Sequence, residues 1–357
     1  MKVLHTIDSM HPGCGGTTTC TAALVNGLRS AGICTDILTR SERDPGFSSM
    51  RISTRLRREL RGKRADIYHT HGLWMDVNHA TCTHAQRHHT PCIISTHGML
   101  YPEALQRHEM MKKLMMKLFQ LRDLEQAACI HVTSEQEMHH VKKILPRSRI
   151  GIIPLPVAEP PQEPEATPHR TFRVGYLGRL HPIKNIESLI RAWGLLQLPD
   201  SELVVMGDGP QAYRESLQRL AGQIGGNITF TCFLSGQEKY DTLASLDVFC
   251  APSHQENFGM SIAEALRCGT PVLASRHTPW QCLNDLHCGS WQGNSSAELA
   301  EGLLAYYRLS ADERRQMGKR GKEFIRRQFS PASIARRMLR LYQYLLGDTS
   351  KPDFVHE

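Results

Sequence analysis

Short apolar runs alternate with helix-like segments along almost the whole chain, and this alternation restricts the fold more than any other feature. A strand followed by a helix and then by another strand forms a parallel sheet with both faces covered. The expected strands are Val3–Ile7, Ile33–Leu38, Ile67–Thr70, Cys92–Thr96, Cys129–Thr133, Arg173–Leu177, Glu202–Met206, Asn227–Thr231, Asp247–Ala251 and Pro271–Ala274. The sequence therefore predicts the α/β class with doubly wound sheets.

A proline-rich segment interrupts the alternation once. From Ile152 to Pro168 the chain reads IIPLPVAEPPQEPEATP. Proline disrupts helices and central strands, so this segment is expected to be a linker poor in core residues. Because 357 residues suit two domains, we expect one domain at 1–158, a linker at 159–170 and a second domain at 171–330. A helical segment is expected at 331–357, and one option is that it crosses back to the first domain.

The composition is that of an ordinary globular protein, with 40% hydrophobic residues. The sequence contains no run of about 18 apolar residues, so no membrane-spanning helix is expected. The N-terminal sequence lacks the features of a signal peptide, which favours a cytoplasmic location. The eleven cysteines are scattered without paired or metal-type spacing, so reduced thiols are expected.

The net charge of +8 favours anionic partners such as nucleotides, phospholipid surfaces or nucleic acid. Basic residues crowd positions 51–64, and positions 107–123 mix Lys and Arg with Met, Leu and Phe at helical spacing. Both segments are candidates for peripheral contact with the inner face of an anionic membrane. For 107–123, a helix that packs its apolar face on the core is the alternative. Nucleic acid is not expected, because no base-reading or aromatic-stacking motif accompanies the basic run.

The stretch 251–275, APSHQENFGMSIAEALRCGTPVLAS, has the features of a phosphate site. A strand ends, a loop follows, and a helix begins near Met260. Free amides at a helix start attract phosphate, and Gly259 lets the backbone approach a ligand closely. Glu256 precedes these amides and Glu264 lies about one turn into the helix. One carboxylate is expected to orient sugar hydroxyls and the other to hold a ribose diol; two unrelated acids are the alternative for the pair alone.

A second stretch, YLGRLHPIKN at 176–185, supplies two cations. A strand ends at Gly178, and Arg179 and Lys184 follow in the loop before a helix. Two fixed cations clamp a diphosphate and stabilise the charge of a departing nucleotide, so no metal is expected as a cofactor. A basic surface loop is the alternative interpretation.

Together these motifs resemble the retaining nucleotide-sugar glycosyltransferases of family four, which have the two-domain GT-B fold. Glu256 and Glu264 match the E-x(7)-E signature, and ENFGMSIAEALRCGTPV matches the run that contains it. Thr278–Trp280 resembles a subgroup that makes bacterial surface polysaccharides. The resemblance covers nearly the whole chain, although Ile153–Pro156 replaces the I-P-N-G turn of many relatives, which affects the expected hinge.

The resemblance implies two Rossmann-like domains that face each other across a cleft, with the nucleotide sugar on the second and the acceptor on the first. The expected catalytic residues are His97, which it places beside the transferred sugar, with Glu256, Arg179 and Lys184. The expected donor-binding residues are Gly15, Gly16, Arg179, Lys184, Phe233, Leu234, Glu256, Asn257, Phe258, Gly259, Met260 and Glu264. Phe233 and Leu234 are expected near the base. No nucleophile is identified, and Glu256 is expected to orient the sugar.

Nineteen histidines raise the question of a metal site. His69 and His71 are two apart on a strand-like run, so both side chains share a face of the sheet. No matching cysteine or carboxylate completes a site in the sequence, and metal binding is not expected.

The expected function is transfer of a sugar, with retention of configuration, from a nucleotide diphosphate sugar to a glycan or lipid-linked acceptor. The resemblance favours exopolysaccharide, capsule or O-antigen synthesis. A nucleotide-sugar epimerase of the same fold is the alternative, and it would convert the donor without an acceptor. A nucleic-acid binder that uses residues 51–64 is a third, non-enzymatic class.

Overall fold

A computed structural model of the chain describes residues 1–11, 15–41, 52–167 and 169–357. These residues form two compact units. The first unit comprises Met1–Ala158 with Phe329–Glu357, and the second comprises Glu159–Gln328. The C-terminal segment therefore belongs to the first unit. Each of the ten cysteines that the structure describes is a free thiol.

Thirteen strands form in the described residues. Their bounds are β1 Lys2–Ser9, β2 Cys34–Ser41, β3 Ile67–His71, β4 Cys92–Ser95, β5 Cys129–Val132, β6 Ile150–Ile152, β7 Phe172–Leu177, β8 Ser201–Met206, β9 Ile228–Thr231, β10 Val248–Ala251, β11 Val272–Ser275, β12 Gly289–Gln292 and β13 Val355–His356. The first unit has the sheet order β13-β6-β5-β4-β3-β1-β2, and the second has β12-β11-β10-β7-β8-β9. All pairs are parallel except β13 with β6, which confirms the predicted α/β class.

Helices cover these sheets. Their bounds are α1 Gly16–Ser30, α2 Thr54–Gly62, α3 Asp76–Arg87, α4 Pro102–Gln106, α5 Glu109–Met115, a π-helical turn Met116–Gln120, α6 Leu121–Glu125, α7 Glu135–Ile144, a 3-10 turn Pro182–Lys184, α8 Ile186–Leu196, α9 Gln211–Ile224, α10 Gly236–Ala244, α11 Met260–Arg267, α12 Cys282–Asp285, α13 Ser296–Arg308, α14 Ala311–Gln328 and α15 Pro331–Leu346.

Alternation along β1 shows how the first sheet is buried on both faces. Leu4 belongs to one apolar cluster and Val3 to another on the opposite face, as the period of two in a strand requires. α15 contributes Met338 and Leu341 to the second cluster. It packs tightly on α1, because a Cβ at Gly27 would lie 2.5 Å from the Pro331 carbonyl oxygen.

The proline-rich segment departs from the expectation at its start. Ile152 ends β6, and the next alternate residues, Ile153, Leu155 and Val157, are buried. The expectation of a segment poor in core residues is therefore wrong there, because proline at every second position leaves the intervening side chains free to point inward. Further along, Glu159 forms an ion pair with Arg267 at 2.6 Å.

Candidate active site

The two predicted motifs lie beyond the carboxyl ends of two neighbouring strands in the middle of the second sheet. β7 and β10 are neighbours, yet the chain continues from β7 to β8 and β9 on one side and from β10 to β11 and β12 on the other. Ligands of open parallel sheets bind at such a switch point, beyond the carboxyl ends of the strands. The loops that follow β7 and β10 are residues 178–185 and 252–259, the sites of the cationic and acidic motifs.

Asn185 ties these two loops together. Its side-chain amide donates hydrogen bonds to the carbonyl oxygens of Pro252 at 3.1 Å and Asn294 at 2.9 Å, and the residue is buried. Its φ of 56° lies in the left-handed region that Asn tolerates better than most residues. The sequence analysis missed Asn185 and Asn294; the only signal for Asn185 was its place just before a helix.

Lys184 and Glu256 form an ion pair between the loops. The Lys184 Nζ lies 2.5 Å from the Glu256 Oε1, and both side chains remain partly exposed. The Ser253 hydroxyl donates to the same oxygen at 2.8 Å. A cation and a carboxylate are thus fixed at the switch point with their remaining faces open to solvent. Ser253 was not among the predicted residues.

Arg179 is exposed, and no ion pair or side-chain hydrogen bond to its guanidinium occurs among the described residues. Its carbonyl oxygen accepts a hydrogen bond from the hydroxyl of buried Tyr176 at 3.0 Å. Burial, together with the nearby Glu256 carboxylate, raises the pKa of Tyr176 well above its usual value, so this hydroxyl stays a donor. The backbone of Arg179 is therefore held while its side chain is available to an anion.

The glycines of the GDGP turn, Gly207 and Gly209, let two loop backbones touch. A Cβ at Gly207 would lie 1.9 Å from the Gly178 carbonyl oxygen, and one at Gly209 would lie 2.2 Å from that of Leu180. The Leu180 amide donates to the Asp208 carbonyl at 2.9 Å. This close approach fixes the course of the cationic loop.

The start of α11 lies beside the ion pair in sequence. Gly259 precedes the helix with a φ of 80°, and a Cβ there would lie 2.9 Å from Ile262 Cδ1. The first amides of a helix, here those of Met260 and the next residue, lack helical acceptors and face outward. Phe258 is buried against Trp280, with ring centroids 5.6 Å apart, and its carbonyl oxygen accepts a hydrogen bond from the Trp280 indole, so its ring is not exposed to a ligand. Asn257 lies in the same loop.

Glu264 pairs with Lys239 rather than with Lys184. The Glu264 Oε1 lies 2.7 Å from the Lys239 Nζ, and both side chains are mostly buried. Burial lowers the pKa of Lys239, but Glu264 and Tyr240 together outweigh that effect and the pKa is raised. The signature's second acid is thus held by a lysine from α10 that the sequence analysis did not include.

Phe233 is an exposed aromatic residue in the loop after β9. Its side chain is 60% exposed, while its amide donates to the Asp208 carboxylate at 3.2 Å. Leu234 beside it is half-buried. An exposed ring on an anchored backbone offers a stacking surface for a planar ligand.

In the first unit, Gly15 and Gly16 begin α1. Gly15 has a φ of 82° with no atom within 4 Å of a Cβ, so its backbone conformation rather than space requires glycine. The first turn of α1 carries no acidic residue, which leaves the positive end of the helix dipole uncompensated. The rest of the predicted glycine loop, residues 12–14, lies outside the described residues.

His97 follows β4 with a φ of 48°, an unusual conformation for a residue with a side chain. Glu137 holds the chain on both sides of it: the Thr96 hydroxyl and the Gly98 amide donate to its Oε1 at 2.6 and 2.5 Å. The hydroxyl and amide of Thr133 donate to Oε2. Glu137 was not predicted, because a glutamate three residues after Ser134 has the pattern of an ordinary helix cap.

The predicted common face of His69 and His71 is confirmed, since their rings stack with centroids 4.5 Å apart. A third ring, that of His5 on β1, completes a group in which one nitrogen of each residue lies within 4.8 Å of the others. Only a cysteine or a carboxylate was expected as a third ligand, so His5 was not predicted.

The two basic segments differ in the exposure of their apolar side chains. Of residues 51–64, Arg51 lies outside the described residues, and α2 buries Leu56 and Leu60. The helical segment from α5 to α6 packs Met115 against the core, but its exposed large hydrophobic residues are Met110, Met111, Leu114 and Leu118. None of the helices that the structure describes combines the length and the apolar character needed to span a bilayer.

Two family models match most of the chain. The model described as "Glycosyl transferases group 1" matches residues 159–324, and "Glycosyl transferase 4-like domain" matches residues 42–156. The chain is 32% identical over 172 residues to the GDP-mannose-dependent alpha-(1-6)-phosphatidylinositol dimannoside mannosyltransferase of Mycobacterium tuberculosis, covering 47% of this chain and 44% of that protein. It is 37% identical over 108 residues to the D-inositol 3-phosphate glycosyltransferase of Mycolicibacterium gilvum, covering 29% and 24%. These matches span less than half the length of each curated relative.

Solved structures share the fold over almost the whole chain. Sucrose-phosphate synthase from Thermosynechococcus elongatus superposes with a TM-score of 0.74 and 22% identity, covering 98% of this chain and 100% of that one. The Anabaena protein HepE in complex with UDP-glucose gives a TM-score of 0.74 and 17% identity, covering 96% and 100%. With the motifs at the switch point and the two family models, these likenesses lead to one conclusion: the chain belongs to family four of the glycosyltransferases and has the GT-B fold.

Proposed function

We propose that this protein transfers a sugar from a nucleoside diphosphate sugar to a glycan or lipid-linked acceptor with retention of configuration. The observation that carries the proposal is the Lys184–Glu256 ion pair at the switch point of the second sheet, with its Nζ–Oε1 distance of 2.5 Å. A cation for the diphosphate and a carboxylate for the sugar hydroxyls stand side by side. One of the proteins named above is GDP-mannose-dependent by its name, and another is bound to UDP-glucose, so both nucleotides are donors to test.

In the proposed reaction, Arg179 and Lys184 bind the diphosphate together with the first amides of α11. Their charges stabilise the negative charge that develops on the leaving nucleoside diphosphate. Glu256 accepts hydrogen bonds from the sugar, and Phe233 stacks on the base. The oxygen of the acceptor hydroxyl bonds to the anomeric carbon on the face from which the diphosphate departs, the bond between that carbon and the phosphate oxygen breaks, and the hydroxyl proton passes to the departing diphosphate. Because two cations offset the diphosphate charge, we propose that no divalent metal is needed.

A lipid-linked acceptor at a membrane surface fits the exposed apolar side chains of α5 and the π-helical turn. Met110 is 86% and Leu118 is 69% exposed, and Lys113 and Lys117 lie among them. Apolar residues enter the headgroup region while lysines contact anionic lipids. The mycobacterial relative acts, by its name, on a phosphatidylinositol dimannoside. Surface-polysaccharide synthesis is a pathway consistent with such an acceptor.

Steady-state kinetics of Lys184→Ala and Arg179→Ala test the donor site. Removing a charge that acts on the departing diphosphate is expected to lower kcat/KM by about 10²–10³. Arg219→Ala is the matched control, because Arg219 is exposed on α9 of the same unit. Unchanged kinetics in both site variants would refute the proposed diphosphate clamp.

The same assay separates the remaining alternatives. UDP- and GDP-sugars are supplied with and without candidate acceptors, and the anomeric configuration of the product is read by NMR. Sugar interconversion without any acceptor would instead indicate an epimerase. Turnover abolished by EDTA and restored by a divalent cation would contradict the metal-free proposal.

A further inference from the structure

Five histidines, a serine and a tyrosine of the first unit form one continuous chain of hydrogen bonds, which we call the histidine chain. It begins at a backbone carbonyl oxygen and ends at His97. The contacts are Ile153 O to His131 Nε2 at 2.7 Å, His131 Nδ1 to Ser95 Oγ at 2.6 Å, Ser95 Oγ to His69 Nε2 at 2.7 Å, His69 Nδ1 to Tyr342 Oη at 2.8 Å, Tyr342 Oη to His5 Nε2 at 3.4 Å, His5 Nδ1 to His71 Nε2 at 2.9 Å and His71 Nδ1 to His97 Nε2 at 3.2 Å.

The period of the strands explains why these side chains meet. In β1, β3, β4 and β5 one face begins with an apolar residue: Val3, Ile67, Ile93 and Cys129 all belong to the cluster shared with α15. Two residues further along each strand, the same face carries a polar side chain. The polar side chains are His5, His69, Ser95 and His131, with His71 a further two residues along β3. Tyr342 of α15 covers this row.

The first contact sets the direction of donation. A carbonyl oxygen only accepts, so His131 donates from Nε2, and its Nδ1 must then accept when the ring is neutral. The Ser95 hydroxyl has one hydrogen, which it donates to His131. Ser95 therefore accepts from His69, whose Nε2 carries the proton.

The same logic continues through the tyrosine. His69 Nδ1 accepts the single hydroxyl hydrogen of Tyr342, whose oxygen then accepts from His5 Nε2. His5 Nδ1 accepts from His71 Nε2, and His71 Nδ1 accepts from His97 Nε2. One backbone carbonyl thus determines the proton position on every ring.

These proton positions hold when the rings are neutral and the tyrosine keeps its proton. Burial lowers the pKa of His5 to about 3, aided by the charge of Arg29, and lowers that of His131 to about 4. Burial also lowers the pKa of His69 and His71 well below the usual value, and that of His97 to about 3. Burial raises the pKa of Tyr342, which keeps its proton.

We propose that the histidine chain fixes His97 as the Nε2–H tautomer, so that His97 presents the lone pair of Nδ1 as a hydrogen-bond acceptor. The preferred ligand group is then a hydroxyl, which donates, and not a phosphate oxygen, which only accepts. Ser95, His69, His71, His5, His131 and Tyr342 are positioning residues that act through this ring. The tautomer does not depend on the proposed function; only its use for a substrate hydroxyl does.

The group formed by His5, His69 and His71 also has the residue types of a zinc site. However, a hydrogen bond engages both ring nitrogens of each of these residues. A metal ion would have to replace several of these hydrogen bonds. Metal binding is therefore the competing outcome of the test.

Long-range ¹H–¹⁵N correlation spectra of protein labelled with ¹⁵N-histidine report the tautomer of each ring. At pH 7.5, all five rings are expected to be neutral, with the proton on Nε2, and His97→Gln and His131→Gln assign the two ends. A His97 ring protonated on Nδ1, or on both nitrogens, would overturn the proposal. So would stoichiometric zinc in the purified protein with loss of the Nε2–H pattern in His5, His69 and His71.

Tyr342→Phe interrupts the histidine chain in the middle. His5, His71 and His97 are then expected to show mixed tautomers, whereas His69 and His131 keep theirs through Ser95. Tyr344→Phe is the matched control on the same helix, because its hydroxyl donates to Glu357 at the surface. If the protein is the proposed transferase, kcat/KM falls about tenfold in Tyr342→Phe, the loss of about one hydrogen bond. If the tautomer of His97 is unchanged in this variant, the proposal is contradicted. If the wild-type protein is inactive but shows the expected tautomers, only the proposed function is contradicted.

Discussion

Gly207 shows how one residue supports the proposed donor site from outside it. Its φ is 144°, and a Cβ would lie 1.9 Å from the Gly178 carbonyl oxygen. We expect Gly207→Ala to destabilise the second unit by at least about 2 kcal/mol, because backbone strain and a backbone clash add. Urea unfolding, followed by circular dichroism, measures the change in the free energy of unfolding.

Gly222 provides the matched control for this prediction. It is exposed within α9, and no atom lies within 4 Å of a Cβ placed there. Gly222→Ala is expected to stabilise the protein by about 0.5–1 kcal/mol, since alanine loses less backbone entropy in a helix. Equal effects of the two substitutions would mean that the Gly207 contact does not constrain the loop.

At the residue scale, the sequence identified single charges better than their partners. Lys184 and Glu256 were each predicted to lie in the donor site, but their 2.5 Å ion pair was not. Glu264 was recognised from its spacing, yet Lys239 of α10, its partner, has no pattern of its own. Pairs between distant positions depend on tertiary packing, which a single sequence does not reveal.

At the scale of elements, the segment from α5 to α6 carries a prediction about membranes. Leu114 and Leu118 are exposed by 56% and 69%, with lysines nearby. We expect the protein to sediment with vesicles of phosphatidylcholine and phosphatidylglycerol, and less so at high salt. Leu114→Glu with Leu118→Glu should weaken this binding by at least about tenfold for each leucine, the cost of losing a buried side chain.

Leu195→Glu is the control, because Leu195 is 66% exposed on α8 in the second unit. It should leave vesicle binding unchanged. If the double variant sediments as well as the wild type, the segment is only a helix that packs on the core. The sequence left both interpretations open, since helical periodicity identifies an apolar face but not what covers it.

Most elements were predictable from alternation, and those that were missed share a physical cause. All ten expected strands form, and each of their ends lies within three residues of the predicted one. The three strands that were not predicted, β6, β12 and β13, have two to four residues each. These three strands contain only one or two apolar residues each, too few to show a period, and their pairing depends on neighbours already in place.

For the molecule as a whole, the buried histidines make the two units differ in their response to acid. Burial lowers the pKa of His5 to about 3 and of His131 to about 4, and lowers the pKa of His69 and His71 well below the usual value. In the unfolded chain each has a pKa near 6.5. Below about pH 6.5 the unfolded state therefore binds protons that the native state does not, so stability is complete above that pH and falls as the pH decreases. In the second unit, no described histidine is buried.

At pH 5.5 each of these four histidines is expected to cost on the order of 1 kcal/mol relative to neutral pH, or roughly 4–6 kcal/mol together. This is comparable to the whole stability of a typical domain, so the first unit should unfold at pH 5–5.5 while the second remains native. Fluorotryptophan NMR separates the units, because Trp74 lies in the first and the other three tryptophans lie in the second. A native Trp74 resonance at pH 5.5, with a urea midpoint equal to that at pH 7.5, would mean that the folded state binds as many protons as the unfolded state at pH 5.5, which contradicts the lowered pKa values of these histidines.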